Sequence, residues 1–161
     1  MLVLAWLLLF AGLFWFFSGW SERQFNPNNE PLIVNGAELV LQRNRGGHYV
    51  APGSINGEPV VFLLDTGATQ VALPAKLAQK LELRRGPSVQ IQTANGSVTG
   101  YQTRLASVQL GPIVVRDVSA LVTGGLAEDT VLLGMSFLKH VEFTQRGEKL
   151  ILRPLAAERT Q

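Results

Sequence analysis

Residues 60–69 read VVFLLDTGAT, an apolar run followed at once by Asp65, Thr66 and Gly67. The apolar run predicts a buried strand, with Asp65 at the point where that strand ends. An ionisable carboxylate at such a place is costly to desolvate unless it is satisfied or used in chemistry. Asp-Thr-Gly is also good turn chemistry, so the tripeptide taken alone is more typical of an ordinary strand-to-loop turn.

A second informative run, VLLGMSFL, occupies residues 131–138. It predicts a core strand that ends at Gly134, where the missing side chain lets another backbone pass close by. Between the two runs lies TANGS at residues 93–97, a small polar hairpin tip suited to a mobile cover. The predicted order is therefore a strand with Asp-Thr-Gly-Ala, a helix, a hairpin, an apolar-apolar-Gly strand and a short helix.

In this order of motifs the chain resembles the retropepsin-like (retroviral-type) aspartic proteases, particularly their bacterial membrane-anchored members, over about residues 37–154. The resemblance implies catalytic roles for Asp65, Thr66 and Gly67. Asp65 would act on the water that attacks the peptide bond, Thr66 would hydrogen-bond across a subunit interface, and Gly67 would bring backbone close to the carboxylate.

The same resemblance implies a supporting element and a substrate-binding set. Leu132, Leu133 and Gly134 match the hydrophobic-hydrophobic-Gly element that supports the active-site loop. The implied substrate-binding residues are Ala68 and the flap tip, namely Thr93, Ala94, Asn95, Gly96 and Ser97. The implied fold is all-β, a closed or partly open acid-protease barrel with one or two short helices, preceded by an N-terminal transmembrane helix.

The local sequence pattern independently predicts an antiparallel β domain, because short Val/Ile/Leu runs alternate with turn dipeptides. Asn56-Gly57 and Asn95-Gly96 predict two tight hairpins, and a third is expected around Gly147. Leucines at 73, 77 and 81, with Pro74 at the first helical position, predict one helix, and residues 135–139 a second.

Asp-Thr-Gly occurs once in the 161 residues, since Asp117 is followed by Val-Ser and Asp129 by Thr-Val. We expect Asp117 and Asp129 to be loop or surface residues. Peptide hydrolysis by this route needs two carboxyl groups that share a proton. One motif per chain therefore predicts a homodimer in which Asp65 of each copy completes the site for a polypeptide substrate.

The N-terminal segment is apolar or Gly from residue 2 to residue 17, and the first charge is at Glu22. Residues 1–20 therefore predict a single-pass membrane anchor in the lipid bilayer, followed by a linker (21–36), the protease domain (37–154) and a polar tail (155–161). A cleaved signal peptide is the alternative, although no basic residue precedes the run. The resemblance implies a bacterial inner-membrane protein with a periplasmic domain; Arg23, Arg43 and Arg45 argue mildly for the opposite orientation.

The sequence lacks the residues that other classes of active or binding site require. The absence of Cys excludes thiolate sites and Cys nucleophiles, and a net charge of +2 gives nucleic-acid binding little support. His48 and His140 lack metal-ligand spacing, so we expect no metal or other cofactor, and Ser136 is not in a nucleophile elbow. The remaining alternative to an aspartic endopeptidase is a membrane-tethered β-domain that binds peptides or partner proteins without cleaving them.

Overall fold

A computed structural model describes residues 6–7, 9–15, 25–93, 96–127 and 130–155. Within these ranges the chain is mostly β-structure. Strands β1 to β11 are, in order, Leu32–Val34, Glu38–Gln42, Tyr49–Ile55, Glu58–Leu64, Val71–Pro74, Ser88–Thr93, Gly96–Leu110, Ile113–Thr123, Thr130–Leu133, Val141–Arg146 and Lys149–Pro154. Two short helices follow β5 and β9, namely α1 (Ala75–Lys80) and α2 (Met135–Leu138), and residues 6–7 and 9–15 are also helical.

The larger sheet closes on itself. Its strand order is β3-β4-β9-β5-β8-β7-β6, and β3 also pairs with β7 through Ile55 and Val108. Closure of the strands from β3 round to β7 makes a barrel whose interior is packed with apolar side chains such as Phe62, Leu105 and Leu133, all fully buried. The expected all-β barrel with short helices is therefore confirmed.

The barrel is a mixed sheet, which corrects the expectation of a purely antiparallel domain. Strand β4 runs parallel to β9, with Leu64 opposite Leu133, and β5 runs parallel to β8, with Val71 opposite Ala120. Parallel neighbours need long connections, so turn dipeptides carry no information about them. The β4–β9 pair brings together the ends of the two strands that carry the sequence motifs.

The three predicted hairpins form. At the β3–β4 turn, Asn56 and Gly57 have φ of 51° and 86°, the left-handed values that a tight two-residue turn requires. Strands β10 and β11 turn at Gly147, and β6 pairs with β7 as far as Thr93 opposite Gly96. Ala94 and Asn95 lie outside the described residues.

The first helix begins later than predicted. Leu73 is a fully buried residue of β5, and Pro74 is the residue before α1 rather than its first helical residue. Pairing of β5 with β8 overrides the four-residue leucine spacing at this point. The second helix ends at Leu138, one residue before the predicted end.

Part of the segment expected as a linker is packed onto the folded unit. Strand β1 pairs with β2 in a smaller sheet of order β1-β2-β11-β10. Asn28 is 2% exposed, and its Nδ2 donates to the carbonyls of Gln42 (2.9 Å) and Val50 (2.7 Å) while its Oδ1 accepts from the Gln42 amide (2.6 Å). The folded unit therefore starts ahead of residue 37, because the Asn28 amide supplies hydrogen bonds that strands β2 and β3 would otherwise lack.

Among the described residues, no helix has the length and apolar character needed to cross a membrane. The predicted anchor lies partly outside those residues, since residues 1–5, 8 and 16–24 are not described, and residues 156–161 of the polar tail are likewise outside them. The transmembrane helix stays a prediction.

Candidate active site

The carboxylate of Asp65 stands in a tight loop directly after β4. The Asp65 amide donates to the carbonyl of Leu133 at the end of β9 (3.2 Å), which continues the parallel pairing by one residue. The Gly67 amide donates to Asp65 Oδ1 (2.8 Å) and the Ala68 amide to the Asp65 carbonyl (3.3 Å). These bonds fix the direction of the carboxyl group, whose second oxygen remains available for a further partner.

Asp65 is only partly buried, whereas the sequence suggested a strongly desolvated carboxylate. The apolar strand ends at Leu64, and the exposed Thr66 and Gly67 carry the loop toward solvent. In one copy of the chain the carboxylate therefore faces open space rather than the barrel interior.

Gly134 lies directly against the backbone of the Asp65 loop and supports it. A Cβ atom at this position would lie 2.6 Å from the Ala68 carbonyl oxygen, so the loop backbone occupies the volume that a side chain would need. The following residues hold the same loop: the Met135 amide donates to the Ala68 carbonyl (2.8 Å) and the Ser136 amide to the Thr69 carbonyl (3.0 Å). The role expected of the Leu-Leu-Gly element, support of the loop, agrees with this geometry.

Ser136 has a structural contact that the sequence did not predict. Its Oγ accepts a hydrogen bond from the Val71 amide (2.9 Å) at the start of β5. Helix α2 thereby holds both the end of the Asp65 loop and the beginning of the next strand. Its neighbour Phe137 is fully buried in the core, which anchors this short helix.

A cavity of about 710 Å³ opens at Asp65, between its loop and the β6–β7 hairpin. On the loop side it is lined by Asp65, Gly67 and Ala68, and then by Thr69 and Gln70. The rest of the described lining consists of the strand residues Ala72, Val89, Gln90, Ile91, Gln92, Gln102, Leu121, Thr123 and Leu132, together with Gly125 and Leu126, which follow β8. Its mixed polar and apolar lining is suited to an extended polypeptide.

Strand β6 of the β6–β7 hairpin also contributes to this cavity. Ala68 is among its lining residues, and the hairpin contributes residues 89–92 of β6, whereas Gly96 and Ser97 do not line it among the residues with described side chains. Ser97 is exposed and donates from its Oγ to Gln92 Oε1 (2.7 Å). The role of the tip residues 93–97 in substrate binding stays a prediction. Val89 and Ile91 are half-buried and alternate with the exposed Gln90 and Gln92, so the period-two pattern of β6 was the signal that could have identified its more buried face.

The other titratable side chains considered from the sequence lie at the surface. Asp117 is exposed, has a left-handed φ of 54° and forms an ion pair with Arg104, in agreement with the expected surface position. His48 and His140 are exposed, and the part of the chain that is described contains no group of three or more possible metal ligands. Asp129 lies outside the described residues.

Residues 51–140 match a family model described as gag-polyprotein putative aspartyl protease. The match covers more than half of the chain and includes both the Asp65 loop and its Gly134 support. This chain belongs to that aspartyl protease family. The crystal structure of a retropepsin-like aspartic protease from Rickettsia conorii is similar to it, with 31% identity, a TM-score of 0.59, and coverage of 71% of this chain and 97% of that one.

Two further relatives of this chain are uncharacterized proteins. The one in the cobV 5′ region of Sinorhizobium sp. is 36% identical over 120 residues, which are 72% of this chain and 52% of that protein. One from Rickettsia prowazekii (strain Madrid E) is 32% identical over 118 residues, 71% of this chain and 50% of that protein. This chain therefore spans about half the length of these two relatives.

Proposed function

We propose that this protein is an aspartic endopeptidase, active as a homodimer in which each protomer supplies one Asp65. The observation that carries the proposal is the Asp65 carboxylate, oriented by the Gly67 amide at the mouth of a cavity large enough for a polypeptide. Membership of the aspartyl protease family supports the same reaction. The single Asp-Thr-Gly in the sequence is why a second copy is needed.

In the proposed mechanism the two Asp65 carboxyl groups hold one proton between them. The ionised carboxylate takes a proton from a water molecule while the water oxygen attacks the carbonyl carbon of the scissile peptide bond. The protonated carboxyl donates its proton to the carbonyl oxygen, which gives a neutral tetrahedral diol. Transfer of a proton to the amide nitrogen then breaks the carbon–nitrogen bond and releases a carboxylic acid and an amine.

The proposal also retains the membrane tether. The described helical residues near the N-terminus carry exposed apolar side chains, with Phe14 73% and Trp15 84% exposed, which favours contact with lipid. Two chains held in one membrane plane would meet at a raised effective concentration, which favours dimer formation. We place the protease domain on the periplasmic side of a bacterial inner membrane as part of this proposal.

The decisive experiment compares wild-type protein with Asp65→Asn on a peptide library, with products identified by mass spectrometry. Asn keeps the size of the side chain and an oxygen that can accept from the Gly67 amide, but it cannot share a proton. We expect cleavage to disappear in Asp65→Asn and to persist in the control Asp117→Asn, which alters an exposed carboxylate elsewhere. Indistinguishable cleavage by wild type and Asp65→Asn would exclude the aspartic mechanism.

A further inference from the structure

A second cavity, of about 390 Å³, adjoins the one at Asp65. The two share Gln70 and Gln102 in their linings, so they lie side by side, and together we call them the groove. Three arginines line the second cavity, Arg84, Arg85 and Arg104, and no acidic residue among those the structure describes does so. We refer to this cavity as the basic recess.

The segment that carries two of these arginines is held firmly against β7. The Gly86 amide donates to the Gln102 carbonyl (2.8 Å), the Gln102 amide donates to the Pro87 carbonyl (2.9 Å), and Thr103 Oγ1 donates to the Arg84 carbonyl (2.8 Å). A Cβ atom on Gly86 would lie 2.7 Å from the Gln102 carbonyl oxygen, so the backbones are in close contact. The positions of the arginine backbones are therefore fixed relative to the groove.

The charges of the three arginines are not equally available. Arg104 forms an ion pair with Asp117, which neutralises much of its charge. The Arg85 guanidinium lies over the Tyr101 ring, 4.7 Å from the ring centre, an interaction that orients the group and leaves its hydrogen-bond donors free at the edge. Within the described residues, neither Arg84 nor Arg85 forms an ion pair with a carboxylate.

We infer that the basic recess is a specificity site for an acidic side chain of the polypeptide substrate. This inference rests on the proposed function, since it assigns a substrate preference to the groove that leads from Asp65. A peptide extended along the groove would bring a Glu or Asp side chain, some residues from the scissile bond, to the Arg84 and Arg85 guanidinium groups. Arginine suits this role because its planar donors match both oxygens of a carboxylate.

The dimer adds a further expectation. Two-fold symmetry would place one basic recess at each end of a shared groove, because each protomer supplies one. An acidic residue on either side of the scissile bond would then favour cleavage, and peptides with one on each side would be the best substrates.

The test starts from a peptide of the library that the full-length protein cleaves and that contains only neutral residues. In two matched series, Gln or Glu replaces the residue at each position in turn. Gln and Glu have the same shape, so the comparison isolates the charge. We expect Glu to raise kcat/KM roughly three- to tenfold over Gln at one or more positions, as for partly exposed charge-assisted contacts, with a smaller gain in high salt. The double variant Arg84→Gln/Arg85→Gln should lose this gain, so that its kcat/KM values for the Glu and Gln peptides become equal.

A matched control and a reversed variant complete the test. Arg146→Gln removes an exposed arginine from β10, outside both cavities, and should keep the Glu preference. Arg84→Glu/Arg85→Glu should instead prefer Lys at the same positions. Equal cleavage of all Gln and Glu peptides by wild type would overturn the inference. Binding of wild type and the double variant to phosphatidylglycerol vesicles tests whether the arginines bind anionic lipid instead. Loss of vesicle binding in the double variant without any change in peptide preference would also overturn the inference.

Failure of the inference can be told apart from failure of the proposed function by measuring binding as well. Fluorescence anisotropy of labelled Gln and Glu peptides with Asp65→Asn requires no cleavage. Tighter binding of the Glu peptide, lost in Arg84→Gln/Arg85→Gln, would support the basic recess even if no variant cleaved a peptide. Cleavage without any charge preference in binding or turnover would support the proposed protease function and overturn the inference about the basic recess.

Discussion

A Cβ atom on Gly134 would lie 2.3 Å from the carbonyl oxygen of Gln70. The Asp65 loop passes directly over Gly134 where it returns to the barrel. The shape of the loop therefore depends on the absence of a side chain at Gly134, the residue before α2. The missing side chain at Gly134 therefore acts together with the hydrogen bond from the Gly67 amide in keeping the carboxylate in place.

Gly134→Ala should displace the backbone of residues 68–70. We expect the free energy of unfolding to fall by about 1–3 kcal/mol, as for overpacked sites, and kcat/KM to fall by at least about tenfold because the carboxylate moves from its productive position. Urea denaturation and peptide kinetics measure the two effects. Gly124→Ala is the matched control, since a Cβ there has nothing within 4 Å, and equal effects of both substitutions would contradict the packing argument.

Activity should depend on protein concentration more steeply than linearly. If each active site needs Asp65 from two chains, dilution of the full-length protein in detergent below the dimer Kd should lower its specific activity. Reconstitution into vesicles at the same bulk concentration should restore the activity, because the tether would concentrate the chains. A specific activity independent of dilution, measured well below the Kd for self-association, would argue against a shared site.

The pH profile of kcat/KM should be bell-shaped, with an acid-to-neutral optimum. Chemistry requires a single proton on the pair of carboxyl groups, and both its loss at high pH and the addition of a second proton at low pH remove the active form. Peptide kinetics from about pH 3 to about pH 9 test this, with circular dichroism at each pH to exclude unfolding. A flat profile over that range in folded protein would be incompatible with the proposed dyad.

Asn28→Ala should destabilise the protein strongly. Removal of the amide would leave the Gln42 amide and the Val50 carbonyl without their buried partner, and we expect a loss of about 2–4 kcal/mol in the free energy of unfolding. Asn44→Ala provides the comparison, because its bonds to His48 and Phe25 are exposed and water can replace them. Similar losses for both would show that burial of Asn28 is not the cause.

The sequence was most informative where structure is local. The Asn56-Gly57 turn follows from the left-handed φ that those two residues tolerate, and the β3–β4 register follows from the turn. The Gly134 support was accessible only because the order of motifs resembled a known family. The sequence also predicted that some backbone passes close to Gly134, but only the three-dimensional structure shows that the passing segment is the end of the Asp65 loop, residues 68–70.

Non-local contacts account for what the sequence did not predict. The leucine spacing indicated a helix that begins at Pro74, but the pairing of β5 with β8 keeps both Leu73 and Pro74 in the sheet. Asn28 looked like a linker residue because Asn is common in linkers, and its partners Gln42 and Val50 lie 14 and 22 residues away. The hairpin residues that face the cavity depend in the same way on how β6 lies over the Asp65 loop.

Strand β1 matters to anyone who shortens the polypeptide for crystallisation. A version that begins at Ala37 would lose β1, one of the two partners of β2, and would turn the side of β2 that carries Val40 into an open sheet edge. Such edges recruit other chains and promote aggregation. Crystallisation trials should therefore use a polypeptide that begins ahead of Asn26.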